Sequence, residues 1–170
     1  MTEFTVLDRP PPPSSLLAQR AAQGEYVDAY CLQVPAPAAL PGWVVAFYGT
    51  RLFAAERCVL ALLGHPSRRA QAHALAQGER EGFAAWMVTA RRSDELLLTE
   101  ASGRTRSWLS VQSLDPGSLL WFGSALRTRQ QDADGRPRLT GAMKALLGLH
   151  ERYSRALLRA GARDLLRGAA

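Results

Sequence analysis

From Tyr26 to Val34, Tyr26, Tyr30, Leu32 and Val34 hold the even positions, the two-residue period of a strand with one buried face. Pro35 and Pro37 end it. Past Leu40 the period changes: Trp43, Val44, Phe47, Leu52, Phe53, Val59, Leu60 and Leu63 recur at helical spacing. Pro41 stands where a first-turn proline is tolerated, and Gly64-His65-Pro66 is a stop signal. The pattern predicts a helix over residues 40–63. Its apolar residues cover more than one face, which requires burial on two sides or a kink near Gly49. Residues 67–77 predict a short alanine-rich helix that ends at Gly78.

Four strand-like segments then follow closely, over residues 82–92, 95–101, 104–114 and 118–130. Ser93-Asp94, Ser102-Gly103 and Asp115-Pro116-Gly117 carry turn chemistry between them. Connections this short join antiparallel neighbours, so the segments predict a meander, and residues 132–137 form a polar turn after it. Over residues 139–165, Leu139, Met143, Leu146, Leu147, His150, Tyr153, Ser154, Leu157, Leu158 and Gly161 fall on one helical face. Arg152, Arg155, Arg159, Arg163 and Arg167 form a stripe on the opposite one. Such a helix is about 40 Å long at 1.5 Å per residue, and its apolar face needs a broad sheet to lie on. The lone first strand must also pair with the meander, since an isolated strand leaves its backbone polar groups unsatisfied.

Composition adds limits. A chain of 170 residues has the size of one domain and buries roughly 70% of its unfolded surface without help from disulfides or metals. The segment before the first strand, with Pro10 to Pro13 and Ser14-Ser15, reads as a flexible proline-rich arm over residues 1–24, with a short helix possible over 15–22. A single domain fills residues 25–167. The most apolar stretch, residues 43–63, is interrupted by Arg51, Glu56 and Arg57, so no membrane span is expected. The N-terminus lacks the apolar run of a signal peptide. Cys31 and Cys58, far apart in sequence, predict small buried apolar groups in a reducing, cytoplasmic setting. The net charge of +6 lies wholly beyond residue 135, where eight cations accompany Glu151 and Asp164. No nucleic-acid motif or set of stacking aromatics goes with that stripe, so nucleic acid is not the expected partner.

The element order is that of a helix-grip fold, and four segments make the resemblance specific. They are Tyr-Val-Asp-Ala-Tyr-Cys-Leu (Tyr26 to Leu32), the aromatic-rich helix after it, Glu-Leu-Leu-Leu-Thr-Glu (Glu95 to Glu100), and Leu-His-Glu-Arg-Tyr-Ser-Arg-Ala-Leu-Leu-Arg (Leu149 to Arg159). On these the chain resembles the START / polyketide-cyclase-like superfamily (the pollen-allergen-like, SRPBCC proteins), and within it a bacterial family of unassigned function. The resemblance spans residues 26–163. It implies an α+β helix-grip fold, a curved antiparallel sheet wrapped around a long C-terminal helix. Two departures stand out. Gly148 occupies the proline position of the family's Pro-x-His step, and residues 102–106 lack the Asp found there.

The resulting expectation is a cavity between sheet and closing helix that takes a small hydrophobic or amphipathic ligand. Its walls would come from Trp86, Trp108, Trp121, Met143, His150 and Tyr153. Arg104 and Arg106 share one strand face with Trp108; that face is either a polar wall for an anionic group or a solvated surface where arginine stems shield the indole. His150, amid an apolar helix face, is either a ligand contact or general acid/base, or a neutral histidine held by a backbone carbonyl or hydroxyl. Two other functions stay open: an interaction module using the arginine stripe or the proline-rich arm, and a cyclase- or hydrolase-like enzyme. No metal-ligand spacing, phosphate loop, dinucleotide fingerprint or nucleophile elbow occurs, and no cofactor is expected.

Overall fold

The first long strand pairs beside the last one. In the computed structural model, described over residues 4–128 and 141–168 apart from the side chains of Val59 and residues 142–145, the elements run β1 (Leu7–Asp8), α1 (Leu16–Ala22), β2 (Tyr26–Val34), α2 (Leu40–Gly49), α3 (Arg51–Leu62) and α4 (Arg69–Gln77). The second half holds β3 (Gly82–Phe83), β4 (Trp86–Arg91), β5 (Glu95–Glu100), β6 (Thr105–Ser113), β7 (Ser118–Leu126) and α5 (Gly141–Gly168). They form an α+β structure with one curved antiparallel sheet, in the order β1-β2-β7-β6-β5-β4-β3. β2 pairs with β7 along its whole length, from Tyr26 opposite Leu126 to Val34 opposite Ser118, as the need to satisfy a lone strand predicts. The β6–β7 turn lies against the end of β2. Gly117 there has φ 97°, and a Cβ would stand 2.1 Å from the Val34 carbonyl oxygen, so only glycine fits.

The two sheet faces have different partners. Inward-facing Tyr30, Leu32, Val34, Leu109, Leu120 and Phe122 join Trp43, Val44, Phe47, Leu157, Leu158 and Ala162 in the main core. Gly161 lets α5 approach α2: a Cβ there would lie 2.8 Å from Trp43 Cζ3 and 3.2 Å from Phe47 Cα. The opposite face buries Leu16, Leu17, Cys31, Leu97, Trp108 and Trp121 as a second layer. Among the described residues no helix is long and apolar enough to cross a membrane.

Several expectations need correction. Residues 4–22 are not a solvated arm. Phe4 and Val6 are buried in the main core, Leu16 and Leu17 in the second, and β1 pairs with β2 at Leu7–Cys31 and Asp8–Tyr30. Apolar residues flank the proline run on both sides, and full burial of such a side chain is worth about 1.5–3 kcal/mol. Buried Glu95 completes the attachment by accepting from Leu16 N–H at 2.7 Å and from Trp108 Nε1–H at 2.7 Å. The segment 40–63 is two helices, because Thr50 takes an extended ψ of 151°. Its hydroxyl donates to Phe47 O at 3.0 Å and accepts from Phe53 N–H at 3.1 Å, ending one helix and capping the next. Residues 82–92 split into β3 and β4 around Ala84, whose φ is 51°. Cys31 is buried but Cys58 is exposed on α3. The expected turn at 132–137 and the start of the closing helix at Leu139 fall outside the described residues.

Candidate functional site

α5 lies tightly on the fold only in its second half. Ser154, Leu157, Leu158 and Ala162 are buried, whereas Leu146 and Leu149 are about two-thirds exposed. Beneath the turns around His150 the inner face of the sheet is left uncovered, and two hollows form. One, of about 250 Å3, is walled by Phe47, Tyr48, Phe53, Trp86, Phe122 and Leu157, with Glu56, Ser107 and Tyr153 among its polar lining. The other, of about 300 Å3, lies between Tyr26 and Leu126 on the sheet and Leu146 and Leu147 on the helix. Both are bounded by Thr105, Ser124 and His150.

The polar groups at that shared boundary come from the strand register. Asp28 stands opposite Ser124 across β2 and β7, and alternation puts both on the inner face. Asp28 accepts from the Ser124 N–H at 3.2 Å and from the Ser124 hydroxyl, and its other oxygen accepts from Tyr30 Oη–H at 3.1 Å. His150 Nε2 lies 2.9 Å from Ser124 Oγ, 3.3 Å from Ser154 Oγ and 3.6 Å from Asp28 Oδ2. With Asp28 ionised, the single Ser124 proton goes to the carboxylate, so the short contact to His150 needs a proton on Nε2. Donation therefore runs from His150 to Ser124 to Asp28. This is not the order of a serine nucleophile, in which the imidazole takes the hydroxyl proton and the carboxylate holds the far ring nitrogen. Burial first, then Asp28, pushes the Tyr30 phenol well above its usual range, and Arg155 lies over the Tyr30 ring at 4.9 Å.

A second polar group faces the enclosed hollow. Tyr153 Oη–H donates to Glu56. Burial raises the Glu56 carboxyl above its ordinary value, while the tyrosine hydrogen bond and the charge of His150 oppose the rise. Burial, with Glu56 adding to it, likewise drives the Tyr153 phenol upward. Deeper in, Tyr48 Oη lies 3.3 Å from Ser107 Oγ, and burial raises that phenol as well. An apolar pocket thus carries two anchored proton-bearing groups, the His150–Ser124 contact and the Tyr153–Glu56 pair, a polar–apolar arrangement of the kind that small-ligand sites use. Among the described residues no three His, Cys, Asp or Glu side chains are grouped to hold a metal ion.

Of the expected wall residues, Trp86, His150 and Tyr153 line the enclosed hollow. Trp108 and Trp121 do not: they lie in the second layer with ring centroids 6.0 Å apart, because even positions of β6 and odd positions of β7 face away from α5. Arg106 borders the hollow, but its guanidinium turns to Glu25 at 2.8 Å and Thr99 at 2.6 Å. Arg104 is exposed ahead of β6, and the Met143 side chain falls outside the described set. The arginine stripe is partly occupied, since Arg155 donates to Val6 O at 3.3 Å and Arg159 to Phe4 O at 3.2 Å, holding the N-terminal segment. Asp28, Glu56, Thr105, Ser107 and Ser124 were not anticipated. Asp28 and Ser124 had a readable signal, since each is a polar residue at an even, inward-facing position that adjoins a run of apolar or aromatic ones, Tyr30 to Val34 in β2 and Leu120 to Phe122 in β7.

Fold and site together define a class: an α+β protein with an antiparallel sheet, a long covering helix and a polar-ended hollow between them. Comparison with known proteins adds no narrower identity, for no family model, curated protein or solved structure matches the chain.

Proposed function

We propose that the protein binds a small amphipathic molecule between the inner face of the sheet and the first half of α5. We also propose that its fold is the helix-grip arrangement of the START / polyketide-cyclase-like superfamily that the sequence resembles. The observation that carries the binding reading is the pair of hollows meeting at Thr105, Ser124 and His150. Aromatic walls supply apolar contact, and His150, Ser124 and Tyr153 supply polar contacts. Strand order supports the fold reading: the first long strand returns beside the last one, and the closing helix crosses the inner face. Native mass spectrometry of the purified protein, against the same sample denatured, tests the binding reading. The expected result is an added mass that disappears on denaturation and is missing from Thr105→Phe, whose ring would block the neck between the hollows. His150→Ala should weaken retention of that mass more than it lowers the melting temperature. A variant that retains the mass as well as the parent protein would overturn the assignment of the site.

A second reading is acid–base catalysis in the same pocket, favoured by the half-buried Glu56 carboxyl facing the hollow that His150 also lines. A carboxyl held protonated to higher pH by its surroundings is a group tuned for proton transfer. Glu56→Gln separates the two readings: it leaves a binding protein able to retain its ligand and leaves an enzyme without turnover of it.

A further inference from the structure

Toward the C-terminal end of α5, beyond the inner hollows, three segments distant in sequence bring arginines to one groove. Arg51 opens α3, Arg69 opens α4, and Arg163 and Arg167 lie near the end of α5; together they line a groove of about 890 Å3. Its one acidic residue is Asp164, which Arg167 engages at 3.1 Å. Among the described residues Arg51, Arg69 and Arg163 have no hydrogen-bond or ion-pair partner, and all three are exposed. Gly49 forms part of the floor: a Cβ there would stand 3.4 Å from Arg69 Nη2, so the guanidinium rests against bare backbone. The amino ends of two helices, of 12 and 9 residues, meet the same groove and add positive potential to it. The carboxyl end of α5 brings the opposite sign, and Arg167 stands at that end. A solvated helix face normally alternates its charges, whereas here like charges from three elements converge with a single carboxylate between them.

We propose that this groove is a second site, independent of the inner pocket, and that it binds a small polyphosphate or the phosphate-bearing end of a small molecule. The planar fork of arginine matches phosphate oxygens two at a time. Several unengaged guanidinium groups on a concave surface suit an anion of multiple charge better than a single carboxylate. Neither the pocket around His150 nor its ligand enters this inference.

The test is calorimetric titration of the full chain with inorganic tripolyphosphate, repeated at raised salt. Saturable binding that weakens with salt is expected. Arg69→Gln and Arg163→Gln should each weaken it about tenfold, the cost of one lost charge-assisted contact. Arg152→Gln, an equally exposed position of α5 outside the groove, should leave it within about twofold, a difference too small for a lost contact. Unchanged melting temperatures would show that these surface variants remain folded. Absence of saturable binding, or equal weakening by Arg152→Gln, would overturn the proposal. Tighter binding of a short DNA duplex than of tripolyphosphate, with the same dependence on Arg69 and Arg163, would replace the small anion with nucleic acid.

Discussion

Glu95 offers the most direct measure of how firmly the N-terminal segment is attached. Its carboxylate accepts from the Leu16 N–H at the first turn of α1 and from the Trp108 indole N–H, and meets Arg92 at 2.9 Å. Glu95→Ala removes the acceptor for all three. A buried donor left without a partner costs about 1–3 kcal/mol. Trp108 and Leu16 are both buried, and each donor is taken at about 1.5 kcal/mol, inside that range. Arg92 is 42% exposed on its side chain and contributes under about 1 kcal/mol. The sum is about 3 kcal/mol, a large share of the about 5–15 kcal/mol that holds a domain folded. In urea denaturation, with a slope of about 2 kcal/mol per molar, the midpoint should fall by about 1.5 M. Glu95→Gln, which keeps one acceptor oxygen, should lose about half as much, and Arg92→Ala under about 0.5 M. In a Trp108→Phe background the cost of Glu95→Ala should shrink by the indole's share. A midpoint for Glu95→Ala close to that of the parent would refute the account, as would an equal loss in Arg92→Ala, which would make the ion pair rather than the buried donors the source.

Two further perturbations probe the inner face and its covering helix. Gly161→Ala sets a Cβ against Trp43 and the backbone of Phe47, and should cost about 1–3 kcal/mol by overpacking. Gly148→Ala, in the same helix with open space around it, should instead gain about 0.5–1 kcal/mol from helix propensity; thermal unfolding of the pair separates packing from propensity, and equal shifts would contradict the close approach of α5 and α2. Burial raises the Glu56 carboxyl from its ordinary 4.5, so the folded state holds that proton more tightly than the unfolded one. Its stabilising contribution is therefore full below about pH 4.5 and is lost as pH rises through the raised folded value. Denaturation across that window should show the parent protein losing stability relative to Glu56→Gln as pH increases; parallel curves would mean that Glu56 titrates as a solvated acid.

The sequence carried the elements further than it carried the site. β2 is legible because alternation, boundary prolines and length all agree over Tyr26–Val34. α5 is legible because a long apolar stripe has few alternatives. The break between α2 and α3 is only half legible: Gly49 draws attention, but the break is made by the Thr50 hydroxyl, which bonds the backbone on both sides. The N-terminal packing is not legible from the proline run at all. It depends on β2 having a free edge for Leu7–Asp8 and on a sheet face that Leu17 can reach at Gly123, where a Cβ would stand 2.4 Å from the leucine side chain. For the tryptophans, aromatic character identifies burial but not the side of the sheet. Strand parity decides that, and it places Trp108 with Trp121 on the face away from the pocket.

Parity also accounts for where polar chemistry survives inside the fold. At the start of β7, Ser118 stands opposite Val34 and accepts from the Ala38 N–H at 2.8 Å. Along the middle of the inner faces of β2 and β7 the residues are aromatic or aliphatic until Asp28 meets Ser124 directly across the pair. An isolated buried carboxylate there would be costly, and the chain answers it with the Ser124 amide and hydroxyl and the Tyr30 hydroxyl. Those three contacts would suffice for a purely structural acid. Yet α5 also brings His150 to Ser124 and leaves Leu146, which borders the second hollow, largely uncovered. A helix that only sealed the sheet would bury that leucine and set a small apolar residue at position 150. Standing off the sheet at the point where its histidine meets the half-buried acid, α5 instead leaves an apolar space with a hydrogen-bonding wall, the feature on which the proposed binding site rests.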